Sequence, residues 1–217
     1  MDITAISDLH GNFPDLQGGD LLIIAGDLTA MDTEIEYLRF FEYLITLKYT
    51  KIIFIAGNHD NWVEVNRKPY ENGNIEYLED SGTEFEGLKI WGSPWTKTFE
   101  GINPKYTAFT VDTDEELKKK WVLIPNDIDI LITHSPPNGV LDAVVNPFYP
   151  IEFEHVGSTS LRNMVISNKF PNLKLHIFGH IHAYGGQQIK MGNTIFVNAS
   201  HVDEVYDPVN PPIRVIL

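Results

Sequence analysis

Five short apolar segments in this chain each run straight into a cluster of Asp, Asn or His, and that repetition limits the folds open to it. Ile3 to Ser7 leads into Asp8-Leu9-His10-Gly11-Asn12, and Leu21 to Ala25 leads into Gly26-Asp27. Ile52 to Ala56 leads into Gly57-Asn58-His59-Asp60, and Ile128 to Ile132 into Thr133-His134. Leu173 to Phe178 ends in Gly179-His180-Ile181-His182. Continuous apolar runs of this kind suit strands buried on both faces, as in parallel sheets. In open α/β sheets, ligands bind beyond the carboxyl ends of the strands. Polar clusters far apart in sequence should therefore converge on one rim. Five of the eight histidines lie in these clusters.

The segments between the strands fit an α/β chain. Thr33 with Glu36 offers a capping box for a helix over about 34–47, with apolar residues at Ile35, Leu38, Phe41 and Ile45. Thr113 with Glu116 opens a second helix running to about Val122, and a third spans about Ser158 to Asn168. Hairpins are expected around Glu86-Gly87 and Gly192-Asn193. Two irregular stretches, 94–112 and 138–157, have no clear period and are the expected seat of specificity. The length of 217 residues fits one domain over 1–217, without repeat or linker.

Composition excludes several chemistries. With no cysteine there is no disulfide, no zinc–thiolate site and no Cys nucleophile. A net charge of -14 repels nucleic-acid backbones and anionic membranes, so neither is an expected partner. A small phosphate ester, a nucleotide among them, is acceptable if bound cations make the site locally positive. No secretory leader and no apolar run of the ~20 residues a span requires is legible, so the cytoplasm is the expected compartment.

Carboxylate, amide oxygen and imidazole, without thiolate, suit hard or borderline divalent cations. Asp8 and His10, two residues apart, are expected on one face of the chain, and His180 and His182 likewise. Gly26 lets the backbone turn so that Asp27 can reach in and bridge two ions. Two ions about 3.5–4 Å apart can orient a phosphoryl group and screen its charge. Any one of these clusters has an ordinary reading as a turn or a helix cap. Their joint recurrence at strand ends does not. His176, inside an apolar run, reads as structural, and His201 as a surface or loop residue. His155 reads as structural, with a place near the site as the alternative. Lys118 to Lys120 match the dipole of a helix with an acidic first turn. The aromatics between Trp91 and Phe109 either fill the core or wall a pocket.

The series Asp8-Leu9-His10, Gly26-Asp27, Gly57-Asn58-His59-Asp60, His134 and Gly179-His180-Ile181-His182 resembles the calcineurin-like metallophosphoesterase superfamily, with all five blocks in order. Residues 88–95, 129–134 and 209–213 resemble its metallophosphoesterase-domain-containing, brain protein-like branch. The resemblance covers nearly the whole chain. It implies a four-layer α/β/β/α sandwich and a phosphodiesterase of small esters, cyclic nucleotides included, in which a hydroxide between two metals attacks phosphorus. It implies one metal on Asp8, His10, Asp27 and His182, and another on Asp27, Asn58, His134 and His180. His59 would assist the leaving oxygen, with Asp60 orienting it. The ions are expected to be divalent or mixed-valence, manganese first, with iron, zinc, magnesium or cobalt as alternatives. Both histidines of the Gly-His-x-His block are present, which implies an active enzyme rather than a scaffold. The superfamily's protein phosphatases carry an Arg soon after Gly-Asp. Here the segment reads Gly26-Asp27-Leu28-Thr29-Ala30-Met31-Asp32, which places monoester and protein phosphatases second.

Overall fold

The computed structural model describes residues 1–66, 72–98, 105–145 and 153–217. Parts of both irregular stretches, 99–104 and 146–152, lie outside the described residues.

Two sheets face each other. The first contains β1 (Asp2–Ile6), β2 (Gly19–Ala25), β3 (Tyr49–Ile55) and β4 (Ile75–Tyr77), with β15 (Ile213–Ile216) at the edge beside β1. Only β15 runs antiparallel. The second has the order β13 (Gln187–Met191), β14 (Thr194–Asn198), β12 (Leu175–Phe178), β9 (Ile130–Thr133), β6 (Leu88–Ser93) and β5 (Ser81–Phe85). Its four inner strands are parallel, and the two edge strands are the antiparallel arms of hairpins. The β5–β6 hairpin turns through Glu86 and Gly87, both at positive φ, as a tight turn between right-twisted strands requires. Two small pairs sit outside the sheets: β7 (Thr96–Lys97) with β8 (Thr110–Val111), and β10 (Ala143–Val145) with β11 (Phe153–His155).

Alternation along each strand divides its side chains between two layers. Ile3, Ala5, Ile23, Ile53 and Ile55 meet Ile90, Ile130, Ile132, Ile177 and Val197 between the sheets. Ile6, Leu22, Ile24 and Phe54 face outward onto α1 (Glu34–Thr46) and α2 (Asn61–Asn66). Leu131 faces the other way, onto Leu117 and Trp121 of α3 (Asp114–Trp121) and Leu161 of α4 (Thr159–Ile166). The result is the four-layer α/β/β/α sandwich.

Helix α3 carries the full capping box at Thr113. In α1 the Thr33 side chain accepts from Glu36 N, but Glu36 turns to Met31 N and the Thr33 hydroxyl. The buried face of α1 is Tyr37, Phe40 and Leu44, and Ile35, Leu38 and Ile45 are exposed. The helix is therefore in its expected place with a different face inward.

The sheets are joined where their parallel strands end. Ser7 pairs with Ser200 across the sandwich, through Ser7 N–Ala199 O and His201 N–Ser7 O bonds of 2.8 Å each. That seam fixes the ends of β1 and β14 relative to each other, and the polar clusters gather beside it.

Candidate metal centre

Four non-glycine residues of the clusters hold left-handed backbone: Asp8 (φ 50°), His10 (43°), Asp27 (54°) and His180 (69°). Asp and His tolerate this region better than bulky or β-branched residues do. Strand alternation is thus not what brings Asp8 and His10 together. β1 has already ended at Ile6, and the loop is held to the next one by Asp8 N–Gly26 O (2.9 Å) and His10 N–Asp27 O (3.0 Å). Nor do His180 and His182 share a face. His182 Nε2 lies 3.2 Å from Asp8 Oδ1 and 3.4 Å from His10 Nε2, whereas the His180 ring sits 4.9 Å from that of His134.

Glycine makes the close approach of the loops possible. A Cβ on Gly26 would stand 2.6 Å from His134 Nδ1. One on Gly57 would overlap Asp27 Oδ1 and lie 2.7 Å from the His134 ring.

The polar atoms converge in a way that hydrogen bonding alone does not satisfy. His182 Nδ1 donates to the Asp203 carbonyl (3.0 Å), so its Nε2 meets Asp8 Oδ1 lone pair to lone pair when the ring is neutral and donates to it when the ring is protonated. His134 Nδ1 donates to the Ala25 carbonyl (2.9 Å), so its Nε2 faces Asn58 Oδ1 (3.0 Å) and Asp27 Oδ1 (3.4 Å). The Asn58 amide is turned this way because its Nδ2 donates to Tyr106 O (3.5 Å). Lone pairs that face lone pairs repel unless a cation, either a proton or a metal ion, sits among them. Among the described residues three such groups occur, one of them His10, Asp27 and His59. Asp8, His10 and His182 form a second, and Asp8, Asp27 and His134 a third, each with ligand atoms within 4.8 Å of one another. Asp27 belongs to two of them, with Oδ2 3.6 Å from His10 Nε2 and Oδ1 toward His134. A buried set of oxygen and imidazole donors fits a hard or borderline divalent cation.

Electrostatics point the same way. Burial alone would raise the Asp8 and Asp27 carboxyls, but the hydrogen bond and charge of His182 hold Asp8 low, and the charge of His134 holds Asp27 low. Burial lowers His10 to about 4 and His180 to about 3, leaving both rings neutral at pH 7. His134 differs. Burial opposes its protonation, yet Asp27 raises it to about 9, so a proton occupies the cation position when no metal does. A ligand imidazole must be neutral, so metal uptake near pH 7.5 displaces that proton. We expect about one proton released per chain from His134 at pH 7.5, with a further contribution from His182, whose hydrogen bond to Asp8 raises it against burial, and a release that falls as the pH passes 9, as measured by calorimetry in buffers of different ionisation enthalpy.

His59 and Asp60 behave differently from expectation. His59 N donates to Asp27 Oδ1 (2.9 Å), and its ring stacks on Tyr106 at 3.9 Å and stands edge-on to His10 at 4.6 Å. Its Nδ1 is buried with no hydrogen-bond partner among the described residues, so Asp60 does not orient it. Asp60 instead accepts from Gly57 N (2.7 Å) and Leu28 N (3.0 Å). It stands just before α2, and its carboxylate turns back over the loops that carry Asn58 and Asp27. Burial, and after it the charge of Asp27, push this carboxyl well above its ordinary value. Asp60→Ala leaves two buried amides unpaired and should cost about 2–4 kcal/mol of stability, read from the urea midpoint.

Other expectations fare variously. His176 is buried and bonded to the Thr133 hydroxyl (2.9 Å), with burial lowering it to about 3. His201 is not on the surface: it is buried, with Nδ1 2.6 Å from the Asn210 carbonyl, because the seam at Ser7 pulls its loop inward. His155 is half-exposed and pairs with buried Asp142 (2.6 Å). Lys120 does more than match a helix dipole, lying 3.5 Å over the Trp95 ring and 3.5 Å from Asp80. Sequence reasoning missed Ser200, whose hydroxyl donates to Asp8 Oδ2 (2.7 Å). Its signal was available, since Ala199-Ser200 follows the end of another parallel strand, β14. It also missed Tyr206, whose ring stands edge-on to His10 and His182.

The family model described as calcineurin-like phosphoesterase matches residues 1–184. Human metallophosphoesterase domain-containing protein 1 is 37% identical over 98% of this chain and 69% of its own length. A 3',5'-cyclic-nucleotide phosphodiesterase of Nostoc is 26% identical over 75% of this chain and 56% of its own length. Among solved structures, TT1561 of Thermus thermophilus superimposes with a TM-score of 0.52 at 17% identity, covering 91% of this chain and 88% of that one, which bears on the fold alone. No helix among the described residues is long and apolar enough to cross a membrane. The chain belongs to the calcineurin-like phosphoesterase family, whose members are metal-dependent hydrolases of phosphate esters.

Proposed function

We propose that this protein is a phosphodiesterase of small phosphate diesters, cyclic nucleotides among them, working with two divalent cations. Asp8, His10, Asp27 and His182 would hold one, and Asp27, Asn58, His134 and His180 the other. The observation that carries this reading is Asp27, one buried carboxylate with Oδ2 toward His10 and Oδ1 toward His134. Bound there, two cations supply Lewis acidity and the positive charge an anionic ester needs beside two carboxylates.

The chain's own residues supply the rest. Ser200 Oγ and the His180 amide hold Asp8 in one orientation. The carbonyls of Asp203 and Ala25 fix the tautomers of His182 and His134. Asp60 clamps the Asn58 and Asp27 loops. His59 delivers a proton to the leaving oxygen from Nε2, because its Nδ1 is buried. Diesters are favoured over monoesters by the likeness to a cyclic-nucleotide phosphodiesterase and by the missing Arg after Gly26-Asp27. Manganese is the ion we would supply first.

The test compares bis(p-nitrophenyl) phosphate with p-nitrophenyl phosphate in the presence of Mn²⁺. Diester cleavage abolished both by EDTA and by Asn58→Ala is the expected result. Cleavage of the monoester alone would replace this reading with a phosphatase.

A further inference from the structure

Tyr206 stands over the centre without being a candidate ligand, and it does so at a conformational cost. Its φ is 67°, a region that bulky aromatic residues rarely enter. Such outliers persist where the surroundings over-determine them. Here Asp203 does so. Its carboxylate accepts from Val205 N (2.9 Å) and Asp207 N (3.0 Å), and its carbonyl accepts from Tyr206 N (3.0 Å). The same carbonyl receives His182 Nδ1, so the loop that holds Tyr206 is registered directly on the metal cluster.

The Tyr206 ring is edge-on to His10 (4.8 Å, 84°) and His182 (5.4 Å, 87°), and tilted against His59 (6.2 Å, 56°). Yet 42% of the residue is exposed. Tyr106, from a different loop, stacks on His59. The candidate general acid thus lies beside one tyrosine, and the second, partly exposed, stands against it and the two histidines of the cluster.

We propose that Tyr206 determines specificity, its exposed surface receiving an aromatic ring (a nucleobase or an aryl group) carried by the phosphate ester. This rests on the proposed function, which puts the phosphate at the histidine–carboxylate cluster. Aromatic contact adds affinity beyond simple area burial, whereas an alkyl ester would leave the ring surface wet.

The test uses two non-hydrolysable probes, phenylphosphonate and methylphosphonate, titrated calorimetrically into manganese-loaded protein. The wild type should bind the phenyl probe about tenfold tighter. Tyr206→Ala should bring that ratio close to one by weakening the phenyl probe alone, with metal content unchanged. Tyr206→Phe should keep the ratio. Equal binding of the two probes by the wild type would overturn the proposal, as would a ratio that survives Tyr206→Ala. Loss of both probes together with metal from Tyr206→Ala would also overturn it, assigning the ring to support of His10 and His182. A wild type that prefers the phenyl probe but cleaves no diester would overturn the phosphodiesterase reading and leave the role of Tyr206 standing.

Discussion

Asp27→Asn should lower kcat by at least about 10³-fold, the scale of several kcal/mol of lost transition-state stabilisation. The substitution keeps the shape of the side chain and changes what it offers. Asp27 is fully enclosed, with one oxygen toward His10 and the other toward His134 and the amide of His59. An asparagine has one acceptor oxygen, so it can serve one direction but must turn N–H donors toward the other. It also removes the largest of the charges that raise His134, leaving Asp8 as the one carboxylate of that group to draw a cation in. Metal content after gel filtration should fall below two ions per chain, while the near-UV spectrum reports an intact fold. Full activity with two ions retained would mean that Asp27 shapes the loop and bridges nothing.

His59→Ala separates a proton donor from a metal ligand. His59 lies within 4.8 Å of His10 and Asp27, close enough to read as a third ligand on proximity alone. As a general acid it would instead deliver a proton. Esters with alkoxide leaving groups, such as 3',5'-cyclic AMP, should then lose about 10²–10⁴-fold in kcat, the range for general acid catalysis. A p-nitrophenyl ester, whose leaving group departs without a proton, should lose under about tenfold. Both ions should stay bound. Equal losses on the two esters, accompanied by loss of metal, would make His59 a ligand.

The rim of the site was legible because its signal is redundant. Five apolar runs each deliver a polar cluster to the same end of a parallel strand, and β1, β2, β3, β9 and β12 carry them there. What each cluster does locally was less legible. The left-handed turns at Asp8, His10 and His180 depend on hydrogen bonds to distant loops, which sequence spacing does not contain. Helix α1 shows a similar limit. Ile35, Leu38 and Ile45 make one apolar stripe and Tyr37, Phe40 and Leu44 another, and only the position of the sheet decides which is buried. Asp60 looked like a partner for its neighbour His59. It serves instead the amides of Leu28 and Gly57, since the turn into α2 points its carboxylate back across the loops. The short elements α2 and β4, with 6 and 3 residues, hold their places through tertiary packing and show no period long enough to read.

If Asp27 serves two cations, metal-stripped protein titrated with Mn²⁺ should take up two ions per chain. Bound metal and diester hydrolysis would be followed together in the wild type. Hydrolysis should appear only as the second site fills. Saturation at one ion with full activity, or hydrolysis that persists in the stripped protein, would contradict that role of Asp27.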